Sequence, residues 1–156
     1  MGLVRHPGLQ PLSRQHRDLL AQAHDLRDAA KGIGPSPPEA ARQFLRFWSR
    51  CGEDHLRYEE NELVACYANH CDIQHDDAIQ TMLRQHTAIR HVIEQLAEGL
   101  GRHHDPTVLI KELGEVLEAH IRHEERVVFP QIQERVPGAE LLALPPLLPH
   151  SPACGT

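Results

Sequence analysis

What the chain lacks narrows it first. No block of Lys or Arg occurs in its 156 residues and the net charge is −6 with His neutral, so nucleic-acid binding gains no support. Only four Cys are present, at 51, 66, 71 and 154, and none forms a Cys-x-x-Cys; neither a zinc ribbon nor a thioredoxin-type site is written here. The N-terminus lacks the apolar run of a secretory signal, and its Met1-Gly2 start has His6 where myristoylation calls for Ser or Thr. The longest apolar stretch, Leu141 to Leu148, is broken by Pro145 and Pro146 and is too short to span a bilayer. No segment alternates apolar and polar residues as a strand would. The expectation is a cytoplasmic helical protein without membrane or nucleic-acid partners, monomeric or a weak homo-oligomer.

What is present fits one globular domain. Hydrophobic residues make up 40% and charged residues 24%, enough for a core at this length. Residues 1–11 contain Pro7 and Pro11 and read as an extended arm. Ser13 is the expected cap of a first helix over about 13–31, ended by Gly32, Gly34 and Pro35. Ser36-Pro37-Pro38-Glu39 reads as a capping box opening a second helix to about Asn69, with Gly52 marking a kink. A polar turn at 72–76 precedes a third helix over about 76–100. After a loop at 99–105, Pro106 opens a fourth helix to about Val136. Apolar residues recur at helical spacing throughout, so the expected fold is an all-α, up-and-down four-helix bundle over 12–136. Residues 137–156 form a short C-terminal segment, with 139–144 packing on the bundle end, and a mobile Pro-rich tail.

The chemistry lies in what interrupts those apolar stripes. The chain has 13 His, and two phrases containing His are doubled. His55-Leu56-Arg57-Tyr58-Glu59-Glu60 recurs 65 residues later as His120-Ile121-Arg122-His123-Glu124-Glu125. Arg14-Gln15-His16 recurs as Arg84-Gln85-His86. Residues four apart share a helix face, so each His-x-x-x-Glu aims an imidazole and a carboxylate at one point. His16, His55 with Glu59, His86, and His120 with Glu124 all fall on inward positions. A buried unpaired carboxylate costs several kcal/mol or more before it neutralises itself, so two carboxylates beside four imidazoles call for a compensating positive centre. Imidazole with bridging carboxylate suits a pair of irons better than a lone zinc.

This pattern resembles the hemerythrin-like, or HHE cation-binding, domains. They place a His on the first helix, His-x-x-x-Glu on the second, His on the third and His-x-x-x-Glu on the fourth. The Leu12-Ser13-Arg14-Gln15-His16 entry and the Glu124-Glu125-Arg126-Val127-Val128-Phe129-Pro130 exit resemble that family's edges. The resemblance implies His16, His55, Glu59, His86, His120 and Glu124 as ligands of two iron ions (Fe2+/Fe3+), oxo- or hydroxo-bridged, with Glu59 and Glu124 as bridges. A ferritin-like site would instead need Glu-x-x-His, and no His here has Glu three residues before it. The chain departs from the oxygen-carrying members, which have two third-helix His and a fourth-helix His followed by Asp five residues on. One turn to either side of His86 stand Met82 and Arg90. An open iron position is therefore implied, favouring reaction with O2, H2O2 or NO. The expected function is a di-iron protein acting on peroxide or oxygen, a candidate catalase- or peroxidase-type oxidoreductase. The alternatives are an iron- or oxygen-responsive sensor module and reversible oxygen binding.

Around the ligands, Tyr58, Cys51, Met82 and Arg90 are the candidates for supporting roles, with His24 and His123 as further hydrogen-bond partners. Glu60 and Glu125 either bond ligand imidazoles or face water with Arg57 and Arg122. Phe44, Phe47 and Trp48 read as core at one end. His70, His75, His91, His103, His104 and His150 read as solvated.

Overall fold

The first helix, α1, spans Gln10–Ala30 and starts earlier than its serine suggests. Pro11 lies in its first turn, where the absent N–H costs nothing, and the arm is reduced to residues 4–9. Ser13 does not cap the helix; its hydroxyl donates to Glu125 instead (2.7 Å). Lys31 and Gly32 close α1, with Gly32 at φ 83°, a conformation only glycine adopts without strain.

The second helix, α2, is continuous from 37 to 68 but not uniformly α-helical. It runs Pro37–Phe47, then through a π-helical turn at Trp48–Gly52, an α-helical stretch Glu53–Tyr58, a second π turn Glu59–Val64, and a last turn Ala65–Ala68. Ser36 caps it by accepting from the Glu39 N–H (3.4 Å), as the capping-box phrase predicts. A Cβ at Gly52 would overlap the Trp48 ring, so glycine there admits the indole against the helix within the first π turn.

After a 3-10 turn at Ile73–His75, Asp76 caps α3, Asp77–Gly101, by accepting from the Ile79 N–H (3.2 Å). The fourth helix, α4, runs Thr107–His123, a π turn Glu124–Val128, and Phe129–Arg135. A short α5, Gly138–Leu142, buries Leu141 against the bundle end. The computed structural model describes residues 4–147, and no helix among them is long and apolar enough to cross a membrane. The expectations for Met1-Gly2, His150, Cys154 and most of the Pro-rich tail fall outside them.

The four long helices form an all-α bundle whose core is in two pieces. One lobe holds Leu19, Ala23, Leu26, Phe44, Trp48, Leu56, Ile89, Leu96, Leu113 and Leu117. The other holds Leu9, Leu12, Leu63, Tyr67, Ile79, Met82, Val128, Phe129, Ile132 and Leu141. The chain crosses from one lobe to the other four times, and at each crossing stands a buried polar residue. His16 lies between Leu12 and Leu19, His55 and Glu59 between Cys51 and Leu63, His86 between Met82 and Ile89, and His120 and Glu124 between Leu117 and Val128. A polar layer thus divides the bundle at mid-height. Phe44 stacks on Trp48 (5.9 Å) and lies 6.3 Å from Phe47 within the first lobe, as the sequence suggests.

Candidate metal centre

Six residues fill that layer, and none is accessible to water: each is between 0% and 2% exposed. Their inward-facing atoms gather into two groups sharing both carboxylates. His16, His55, Glu59 and Glu124 form one; Glu59, His86, His120 and Glu124 form the other, the ligand atoms of each lying within 4.8 Å of one another. The imidazoles pair accordingly, with ring centroids 4.9 Å apart for His16 and His55 and 4.7 Å for His86 and His120.

The helices are shaped at this level. Glu59 and Glu124 are each the first residue of a π-helical turn. Such a turn holds an extra residue and is frequent at functional sites. The doubled sequence phrase is therefore also a doubled backbone feature.

Each imidazole is oriented from outside through Nδ1. His55 Nδ1 bonds Gln15 Oε1 (2.6 Å) and His120 Nδ1 bonds Gln85 Oε1 (3.0 Å). His86 Nδ1 bonds Glu60 Oε1 (2.8 Å) and His16 Nδ1 bonds Glu125 Oε1 (2.7 Å). These partners can only accept, so every Nδ1 donates and every Nε2 is turned to the centre. The four bonds close a ring: α1 to α2, α2 to α3, α3 to α4, and α4 back to α1.

At the centre, Nε2 atoms and carboxylate oxygens stand close without satisfying one another. His55 Nε2 is 2.7 Å from Glu59 Oε1, His16 Nε2 2.9 Å from Glu124 Oε2, and His120 Nε2 3.3 Å from Glu124 Oε1. Yet Nε2 of His55, His86 and His120, Oε2 of Glu59 and both oxygens of Glu124 are buried with no aligned hydrogen-bond partner. Orphaned buried polar atoms are rare and costly, and here six of the seven among the described residues, all but Arg5 Nε, gather at the same small volume. Donor type, burial and convergence fit a pair of cations.

Without a cation, protons hold the layer together. Burial alone would push His86 down, but the facing carboxylates of Glu124, Glu59 and Glu60 outweigh it and raise its pKa to about 11. His16 is likewise held well above the ordinary imidazole value, the neighbouring Glu124, Glu125 and Glu59 carboxylates overcoming burial. His120 is pushed down to about 4, burial together with the charges of His86 and His16 outweighing the pull of Glu124 and Glu59. Burial would push the Glu59 carboxyl up, yet the facing His55, His16 and His86 rings hold it well below its usual value. Burial and Glu59 would also raise Glu124, but His120, His16 and His86 bring it down on balance.

The hemerythrin HHE cation-binding domain model matches residues 8–132. The chain belongs to that family. No curated protein and no solved structure matches it. Within this HHE domain the six residues expected as ligands are brought together, whereas several expected supporters are not. The Tyr58 hydroxyl points away and donates to the Pro145 carbonyl (2.6 Å). Met82 is plain core of the second lobe. His24 is exposed and lies beside Asp28, and His123 is spent on the Ala78 carbonyl (2.9 Å). Arg90 does take part, at one remove: it bonds Glu60 (2.7 Å) and Glu53 (2.9 Å). Arg57 and Arg122 pair with Glu53 and Glu118 on their own helices, leaving the Glu125 partner to be Arg5 (2.7 Å).

Cys51 is buried next to His55 and helps line a crevice of about 10 Å3 with Gln15, Asp18, Leu19, Phe47 and Gly52, room for about one water. A far larger cavity, about 630 Å3, lies by Cys71, Asp72, His75 and Arg135 and is lined by none of the six clustered residues. Gln15 and Gln85 went unread as supporters. The signal was available: each immediately precedes a lone His in a phrase that occurs twice.

Proposed function

We propose that this HHE domain is a non-haem di-iron protein that reacts with peroxide or oxygen. The observation carrying the reading is the pair of four-residue groups that share Glu59 and Glu124, with their orphaned atoms facing inward. Two imidazoles and two shared carboxylates per position form a nitrogen and oxygen donor set suited to iron. Bound iron would supply Lewis acidity and a ferrous/ferric couple. The chain's own part is positional. Gln15, Glu60, Gln85 and Glu125 hold the rings so that Nε2 faces in, while the two apolar lobes keep bulk water out.

The test is metal analysis after anaerobic ferrous loading, followed by oxygen release from hydrogen peroxide. Close to two irons per chain with turnover is the expected result; one zinc, or no metal, sinks the reading. Two irons without turnover favours the second reading, an iron-responsive module. One observation speaks for that alternative: ligands from all four helices meet in one layer, so metal would cross-link the whole bundle. Reversible oxygen binding is the less favoured reading, because α3 offers the layer only His86, with Met82 in the core and Arg90 on Glu60.

A further inference from the structure

The two halves of the metal layer match in their donors but not in their outer anchorage. Glu60, behind His86, is held by Arg90, one turn along the same helix α3 (2.7 Å). Both ends of that pair are helical. Glu125, behind His16, is held by Arg5, which comes from the non-helical arm of residues 4–9.

That arm is well seated. Arg5 Nη2 donates to Glu125 Oε2 and to the Glu125 carbonyl (both 2.7 Å), and Nη1 donates to Gln133 Oε1 (3.1 Å). The Gln133 side chain also accepts from the His6 N–H (3.0 Å) and donates to the Val4 carbonyl (3.1 Å). The guanidinium sits over the Phe129 ring (5.2 Å), and the other neighbour of that ring is His16, stacked on it at 5.2 Å and 16°. Arg5 therefore reaches His16 by two routes, through Glu125 and through Phe129.

We propose that Arg5 is a positioning residue for the His16/His55 metal position alone, and that docking of the arm sets how firmly that one position holds its metal. This rests on the di-metal reading above. The physical reason is that a carboxylate behind a ligand imidazole fixes its ring and raises its basicity, and loss of such a partner typically lowers metal affinity about 10–100-fold. Without Arg5, Glu125 keeps, besides the His16 ring it orients, only the Ser13 hydroxyl, whereas Glu60 keeps Arg90.

The experiment is anaerobic Co2+ titration of the metal-free full chain, read by visible absorption, with release to a chelator followed over time. Wild type, Arg5→Gln, Arg5→Lys and Glu125→Gln are compared, and melting of each metal-free protein is recorded. The expected result for Arg5→Gln and Glu125→Gln is biphasic: one Co2+ held as in wild type and one at least about 10-fold weaker. Arg5→Lys restores part of the second phase. A merely structural arm would weaken both metals together, in step with the melting temperature. Both metals held at wild-type strength, or both lost equally, overturns the assignment while leaving the di-metal reading in place. Wild type that takes up fewer than two Co2+ overturns both.

Discussion

Loading the metal-free protein at pH 7 should expel at least about two protons for two divalent cations. The number follows from which groups hold protons before the metals arrive. His86, raised to about 11, and His16, also raised well above 6.5, are both imidazolium at neutral pH. His120, lowered to about 4, has none to give at that site, and Glu59 and Glu124 are already ionised. His16 and His86 thus each give up one Nε2 proton. The joint loading constant should then change at least about 100-fold per pH unit, which is about 1.4 kcal/mol per proton per unit, weakening as pH falls. Between pH 8 and pH 6 the two-metal constant should drop by a factor of at least about 10^4. Calorimetric titration with Zn2+ in two buffers of different ionisation enthalpy gives the proton count directly. No release would mean that His16 and His86 are neutral in the metal-free bundle; about four would mean that the carboxylates carry protons too. Either result refutes the charge arrangement described here.

Gln15→Leu and Gln85→Leu should each lower metal affinity about 10–100-fold, since a buried Nδ1–H loses its acceptor; a competition titration that finds no change would contradict the orienting role. Asp76→Ala removes the α3 cap and the partner of the Tyr67 hydroxyl (2.7 Å) and Gln131 (2.7 Å), and should cost about 2–4 kcal/mol in urea unfolding while leaving metal content intact. The Asp76 carboxyl is also held below its usual value, its hydrogen bonds outweighing burial, so its contribution is present above about pH 4 and should fade as pH falls below that. Tyr58→Phe should leave metal content and visible absorption unchanged, because its hydroxyl serves Pro145; an altered spectrum would place the ring nearer the metals than its bond allows.

The bundle and its polar layer were legible because burial is periodic. A charged residue on an apolar stripe is conspicuous, and here it recurred at one level in every helix. Direction and distance were less legible. Tyr58 lies between His55 and Glu59 in sequence, but at a helix position turned toward residue 145. The partners of Glu60 and Glu125 were sought four residues or fewer away, whereas they come from 30 and 120 residues off. Reading residues 1–11 as an arm hid the part played by Arg5, whose bonds depend on where α4 ends up. Nor does periodicity disclose the π turns at Glu59 and Glu124, because one extra residue per turn leaves the apolar count almost unchanged.

The ring of outer hydrogen bonds treats the chain as two interlocked hairpins. Both amide links stay inside a hairpin: Gln15 with His55, and Gln85 with His120. Both carboxylate links pass between hairpins: Glu60 to His86, and Glu125 to His16. Each hairpin likewise owns three members of a four-residue group and borrows its last carboxylate, Glu59 or Glu124, from the other. The molecule is thus a covalent counterpart of a symmetric dimer, its two copies joined by the short 69–76 connection. Neither hairpin can complete a metal position by itself, and the charged contacts that set their mutual register are those that orient the lone imidazoles.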